Sequence, residues 1–322
     1  YCEVRGSYGW DLPPSVDLNQ QADRSSKLCG EYYEDVYLTG ERNIIQCQVL
    51  IHEGYNLTIA AGTTLLMPSY ANPNSTSTIT IMPGAKIFAE GTPEEPITIM
   101  GMEADLDSTR ETESGMWGGI KIIGNSDLDP FESSGVLKYV RVRNTGAAYM
   151  QDGESSYHDG IGFLTVGNGT IVEDVEVAFN GVDVEGESSY GVLLSGGTVN
   201  MRRLSILYNE NGMSISNGYD GKIQFLYSVG GEDSVGLVVL SNTVGGERRR
   251  MEASRKTSPS IYNALFVGQQ VIINSAASGQ FGNILVTNLA AGTSGVVFTC
   301  TEDDSSQVPI TQSGGDYTPG ES

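Results

Sequence analysis

The residues able to do chemistry fall into a few small groups. Asp127 and Asp129 form one, and Glu173, Asp174 and Glu176 form another. Two carboxylates roughly 5–10 Å apart are what glycoside hydrolysis needs. A polysaccharide lyase would instead want clustered carboxylates for calcium and a Lys or Arg as base. Both groups have a plainer explanation. Asp127 and Asp129 stand in an acidic loop before Pro130 and read as a solvated turn. Glu173, Asp174 and Glu176 share a run with Val175 and Val177, which places them on the outer face of a strand. His52 and His158 are the only histidines. His158-Asp159 follows Ser155 and Ser156 in a loop, and no Gly-x-Ser-x-Gly elbow is present, so a Ser/His/Asp triad is not expected. No phosphate loop, haem motif or zinc motif occurs, so neither a cofactor nor a catalytic residue is expected.

Charge sets a second boundary. The chain has 322 residues, with 18 Lys or Arg against 40 Asp or Glu, a formal charge of −22. Such a chain repels phosphate backbones, so nucleic acid is not an expected partner. Against that background, Arg248, Arg249, Arg250, Arg255 and Lys256 place five of the 18 basic residues in one short run. The run is read either as a solvated loop or as a docking element for an acidic surface, on another copy of the chain or on an acidic polysaccharide.

The cysteines are Cys2, Cys29, Cys47 and Cys300, with no Cys-x-x-Cys pair. Placed near the two ends, they read as disulfide staples formed in an oxidising compartment. Cys29–Cys47 is the favoured bond, leaving Cys2 and Cys300 for each other or for another chain. Sequons at Asn56, Asn74 and Asn168 are glycosylation candidates, Asn74 in the most polar surroundings. No run of 18 apolar residues exists, so no membrane span is expected. The start at Tyr1-Cys2 is read as that of a mature, secreted form.

The elements that would position these groups are short strands. Ala85/Ile87/Ala89, Ile97/Ile99 and Ile120/Ile122 alternate with polar neighbours, and the runs end at Gly or Pro. Asn56–Met67 reads as a first copy of Thr78–Ala89, an offset of 22 residues from Leu57 to Ile79, which points to a solenoid. Three later runs repeat the theme, with Val140/Val142, Val175/Val177 and Leu204/Ile206 inward and Asn144, Asn180 and Asn209 at the corners that follow. Their spacings of 35 and 29 residues exceed a bare coil, so each carries a loop. The abundance of Gly, 41 residues, suits a fold that turns at every corner.

The stretches LTIAAGTTL (57–65), ITIMPGAKIFAEGTPEEPITI (79–99) and GMWGGIKIIG (115–124) resemble a widespread group of secreted, cell-surface parallel β-helix repeat proteins, among them bacterial surface proteins and lipoproteins. SSGVLKYVRVRNTG (133–146), GGTVNMRRLSILYN (196–209), GYDGKIQF (218–225) and SPSIYNALFVG (258–268) extend the resemblance over roughly residues 50–270. It implies an all-β, single-stranded, right-handed parallel β-helix and does not fix a function.

The expected organisation is an irregular N-terminal cap over 1–48, a β-helix over 49–300 and an extended tail over 301–322. Residues 102–115 and 126–134 are expected as polar loops leaving the wall. The expected role is that of a non-enzymatic structural subunit of an extracellular or cell-surface assembly, a homopolymeric filament joined through the solenoid ends, the basic run and the tail. Val308 and Ile310 would add to a neighbour's strand edge. The alternatives are a carbohydrate-binding adhesin that uses the long side wall and, less favoured, a polysaccharide lyase or hydrolase.

Overall fold

The computed structural model describes residues 27–40, 42–69, 76–151, 154–181, 189–231, 234–240, 256–274, 277–290 and 293–299. Short β-prone runs broken by Gly, Pro or Asn cannot form long hairpins, and here they wind into successive coils. The result is a parallel β-helix whose 21-stranded sheet wraps round one axis. The chain visits three faces, A, B and C, in that order in every coil.

Face A carries β2 (Val36–Leu38), β4 (Asn56–Ile59) and β7 (Lys86–Glu90). Face B carries β5 (Thr64–Met67) and β8 (Ile97–Gly101). From β10 (Gly135–Arg143) onward one bent strand spans both faces. Its first half pairs with β7 and its second half with β8. The bent strands β14 (Ile171–Ala178), β16 (Asn200–Leu207), β18 (Lys222–Val229), β20 (Ser260–Val267) and β22 (Gln280–Thr287) stack on it in turn. Face C runs through β6 (Ile79–Ile81), β9 (Ile120–Ile123), β13 (Ile161–Leu164), β15 (Tyr190–Ser195), β17 (Asn211–Ser216), β19 (Val235–Val239), β21 (Gln270–Asn274) and β23 (Val296–Thr299). A small antiparallel hairpin, β11 (Ala148–Gln151) with β12 (Glu154–Tyr157), stands off between faces B and C.

The bend between faces A and B is made by one residue with left-handed backbone. Tyr139, Asp174, Arg203, Phe225, Asn263 and Asn283, at φ between 50° and 62°, form a column along this edge. For bulky residues that conformation costs about 1–3 kcal/mol each and persists only where the surroundings hold it. Here the flanking pairs hold it: Val140, Val175 and Leu204 are fully buried just after the bend, and Leu137, Val172 and Met201 just before it. The expected inward set Val140, Val142, Val175, Val177, Leu204 and Ile206 lies in the core, which runs as one cluster from Leu28 to Ala277.

The corner after face B holds a buried polar ladder. Thr145 Oγ1 donates to Asn180 Oδ1 at 2.8 Å, and the Asn180 backbone N–H donates to Asn209 Oδ1 at 2.7 Å. Asn180 and Asn209 were expected at this corner and stack there. Asn144 falls one position earlier, in register with Phe179 and Tyr208, and its amide donates to the carbonyls of Glu111 and Glu113 at 2.9 and 2.6 Å.

Three expectations are corrected. The solenoid begins before residue 49: β1 (Lys27–Tyr32) and β3 (Arg42–Ile51) already pair in parallel, and the proposed boundary falls inside β3. A register shift between Leu28 and Gly30 breaks the alternation that would have shown β1 in the sequence. The 22-residue offset does not relate successive coils either. Leu57 pairs with Ile87, 30 residues on, whereas Ile79 lies on face C. The same strand–Gly–strand turn serves two different corners, at Gly62 and at Gly84, so the two look alike. Lastly, residues 102–115 are not simply a loop. Met102–Leu106 is a short α-helix with Met102, Glu103 and Ala104 buried, and a 3-10 turn follows at Ser108–Arg110.

Candidate functional site on the outer wall

Where the strands bend between faces A and B, three positions per coil point outward or lie in the bend. In β10 these are Lys138, Tyr139 and Arg141; in β14, Glu173, Asp174 and Glu176; in β16, Arg202, Arg203 and Ser205. The next coil adds Gln224, Phe225 and Tyr227, and the one after it Tyr262, Asn263 and Leu265. The wall is thus a lattice in which cations, carboxylates and aromatic rings alternate.

A cleft of about 350 Å³ opens along this edge. Its floor is formed by Val175 and Leu204, its sides by Tyr139, Arg141, Asp174, Glu176, Arg203, Ser205, Phe225 and Tyr227, and one end by the β7–β8 turn at Thr92, Pro93 and Pro96. Phe225 and Tyr227 are each 43% exposed and Tyr262 is 36% exposed, so three large rings on two successive coils face solvent. Arg202 lies over the Phe225 ring at 5.7 Å and Lys138 over the Tyr139 ring at 5.9 Å, both within cation–π range.

The carboxylates on the wall are tied down by neighbouring coils. Arg203 Nε donates to Asp174 Oδ1 at 2.6 Å and Nη2 to Asp174 Oδ2 at 2.7 Å, with Glu173 Oε2 also in reach at 3.1 Å. Arg203 holds the Asp174 carboxyl below its usual range, chiefly through these bonds. Arg143 binds Glu176 at 2.6 Å and Glu111 at 3.1 Å. Glu173, Asp174 and Glu176 are therefore ion-pair partners on the outer wall, not a free acid–base set. Arg141 and Arg202, both exposed, enter none of these ion pairs.

The other sequence candidates are dispersed. Asp129 closes a turn by accepting the Phe131 N–H at 2.9 Å, as expected of a solvated loop. His52 stacks on Tyr33 with centroids 4.1 Å apart and meets Glu31 at 3.1 Å. His158 and Asp159 line a separate pocket on face C. Cys29 and Cys47 form a disulfide joining β1 to β3. Asn56 is half-buried, its amide donating to Asp35 Oδ1 at 3.1 Å, while Asn168 lies in a turn where its N–H donates to the Pro130 carbonyl. Lys256 is exposed at the start of a described segment. Cys2, Cys300, Asn74, Arg248, Arg249, Arg250, Arg255, Val308 and Ile310 lie outside the described residues. Among the described residues no group of three or more His, Cys, Asp or Glu could hold a metal ion, and no helix is long and apolar enough to cross a membrane.

Sequence reasoning missed the wall residues that matter most, namely Tyr139, Arg141, Arg203, Phe225, Tyr227 and Tyr262. The signal was present: Lys-Tyr-Val-Arg, Gln-Phe-Leu-Tyr and Tyr-Asn-Ala-Leu place large or charged residues on both sides of one inward residue. Reading it needed the bend, which shifts the alternation by one position.

The family model described as pectate-lyase like beta helix domain matches residues 30–132 and again 128–308. No curated protein matches the chain in sequence. Among solved structures, the crystal structure of a TibC-catalyzed hyper-glycosylated TibA55-350 fragment aligns over 85% of this chain and 94% of that one. It does so at 15% identity and a TM-score of 0.15, which supports no argument.

Proposed function

We propose, taking as premise that the chain belongs to the family of pectate-lyase-like β-helix domains, that it is a secreted, cell-surface glycan-binding protein that does no chemistry on its ligand. The wall between faces A and B would hold an extended, acidic polysaccharide. The observation that carries this reading is the row of solvent-facing rings at Phe225, Tyr227 and Tyr262 beside the cleft, interleaved with Lys138, Arg141 and Arg202. Rings cover the C–H faces of sugars at low entropic cost, and Arg is suited to carboxylates. In a chain of charge −22, Lys138, Arg141, Arg143, Arg202 and Arg203 gather on this one wall. The Glu and Asp side chains there are held in ion pairs, which argues against their serving as a free acid and base.

The test is affinity electrophoresis or glycan-array binding with the full chain and with Tyr227→Ala, Arg141→Ser and Phe225→Asn. The last replaces a left-handed Phe by a residue that tolerates this backbone and already occupies the same column at Asn263 and Asn283. Loss of retention of acidic polysaccharide in all three, with unchanged thermal unfolding, is expected. Equal retention by all variants would reject the wall as the site, and release of reducing ends or unsaturated products would reject the non-enzymatic reading.

A second reading, assembly through the solenoid ends, is favoured by the C-terminal coil. Val296 and Phe298 are in register with the buried Val271 and Ile273, yet they are 43% and 54% exposed. Among the described residues β23 pairs on one side only, and such an edge is suited to a neighbouring copy. A concentration-independent monomer by size-exclusion chromatography would count against this reading.

A further inference from the structure

Face C carries a second pocket, lined by residues other than those of the wall cleft. The outward positions in register along this face are Thr80, Lys121, Gly162 and Leu193. Gly162 leaves a gap in that column. A Cβ there would meet only Leu164 Cδ1 at 3.4 Å and the Ile120 carbonyl at 4.0 Å, and its backbone is not left-handed. The gap opens into a cavity of about 200 Å³. Tyr149, whose ring lies 4.4 Å from that of His158, stands at the foot of the β11–β12 hairpin and closes one side.

The sequence builds this pocket through Gly118-Gly119. A Cβ at 118 would collide with Thr78 Cγ2 and fall 2.9 Å from His158 Cδ2. A Cβ at 119 would collide with the Asp159 carbonyl oxygen. The two glycines therefore let Thr78, His158 and Asp159 converge. Thr78 is only 8% exposed and contributes its side chain to the pocket wall.

Charge narrows the ligand class. Burial, and then Lys121, hold His158 neutral, with a pKa pushed down to about 4. Burial raises Asp159 to about 6, while the Tyr190 N–H at 2.9 Å and Lys121 pull the other way. Near neutral pH the pocket thus presents one cation, one carboxylate, a neutral imidazole and the side chains of Thr78, Thr80 and Gln48. A simple anion would meet Asp159 and a simple cation would meet Lys121. A neutral polyol can use both, and the half-buried Leu164 and Leu193 offer it an apolar floor. The volume lies below the roughly 300–1,000 Å³ of drug-sized sites, which restricts the occupant to a single ring.

We propose that the face C pocket formed by Thr78, Lys121, His158, Asp159 and the gap at Gly162 binds one neutral sugar residue. The site is independent of the wall between faces A and B and does not rest on the reading given to it. The experiment is ligand-observed saturation-transfer NMR on the full chain, with methyl glycosides of glucose, galactose and mannose at low millimolar concentration and methyl glucuronide as the charged comparison. Transfer to at least one neutral glycoside is expected. It should vanish in Gly162→Phe, which fills the gap, and weaken at least tenfold in Lys121→Met. It should persist in the wall variant Phe225→Asn. Absence of transfer to every neutral glycoside overturns the proposal, as does a preference for methyl glucuronide over all of them. Undiminished transfer in Gly162→Phe with unchanged thermal unfolding overturns it too. If Gly162→Phe lowers the unfolding temperature, Lys121→Met decides alone, and undiminished transfer there is fatal.

Discussion

Arg203 clasps Asp174 of the preceding coil through two parallel bonds of 2.6 and 2.7 Å, and both residues hold left-handed backbone in the same column. The fork spans a bend in two stacked strands, so it fixes the corner as well as pairing charges. Asp174→Asn should keep the fold and lower stability by about 0.5–1 kcal/mol, the modest value expected of a partly exposed pair. The Asp174 carboxyl is held below its unfolded range, so its contribution is present above the unfolded value near 3.8 and is lost as pH falls through the lower folded value. Denaturant melts of parent and variant should therefore differ at pH 7 and converge at the acid end.

Val177→Asp should unfold the chain or cost more than about 4 kcal/mol. Val177 is fully buried between Val142 and Ile206 of the adjacent coils, and a lone carboxylate there finds no partner. Loss of the strand signature in circular dichroism, or a collapse of soluble yield, is the expected readout.

The Cys29–Cys47 bond closes a loop of 18 residues at the start of the solenoid. Chain-entropy reasoning gives such a loop about 3 kcal/mol. Thiol titration of unreduced protein should leave these two cysteines unreactive. The Cys29→Ser/Cys47→Ser variant should lose stability first around β1 and β3, read as faster hydrogen exchange there.

Asp159 and His158 give opposite pH dependences. The Asp159 pKa is raised from 3.8 to about 6, so across that window the folded state binds more protons, and stability falls as pH rises. His158 is lowered from 6.5 to about 4, so the unfolded chain binds more protons, and stability falls as pH falls. Asp159→Asn should therefore be more stable than the parent at pH 7–8, by on the order of 1–2 kcal/mol, with the difference gone near pH 4. His158→Gln should lose less stability than the parent between pH 7 and pH 4. Thermal melts across that range check both signs.

Much of the fold was legible because alternation survives in each half-strand. Val140/Val142, Val175/Val177 and Leu204/Ile206 were found inward at the spacings of 35 and 29 residues that the register confirms. The first coil was hidden by the irregularity near Gly30, and the true coil length by one turn type serving two corners. The wall could not be read, because a single left-handed residue at Tyr139 or Phe225 puts successive outward positions on two faces. No propensity scale anticipates that conformation for Tyr or Phe. The face C pocket was hidden for a different reason. Thr78, Gly118 and the pair His158 and Gly162 come from three different coils, and only stacking brings them to one place.

Coil length varies widely while the register does not. Corresponding face A residues are 21 apart from Val36 to Leu57, 30 from Leu57 to Ile87, 48 from Ile87 to Gly135 and 20 from Ile261 to Phe281. Whatever the chain does between coils, hydrogen bonding returns each strand to about 4.8 Å above the last. The column of bent residues is therefore a ruler whose graduations do not depend on what hangs from the corners. Tyr139 and Phe225 stand three graduations apart, about 14 Å. A polymer lying along this edge is measured against a fixed pitch, and one whose repeat drifts out of step with it loses contact within a few coils.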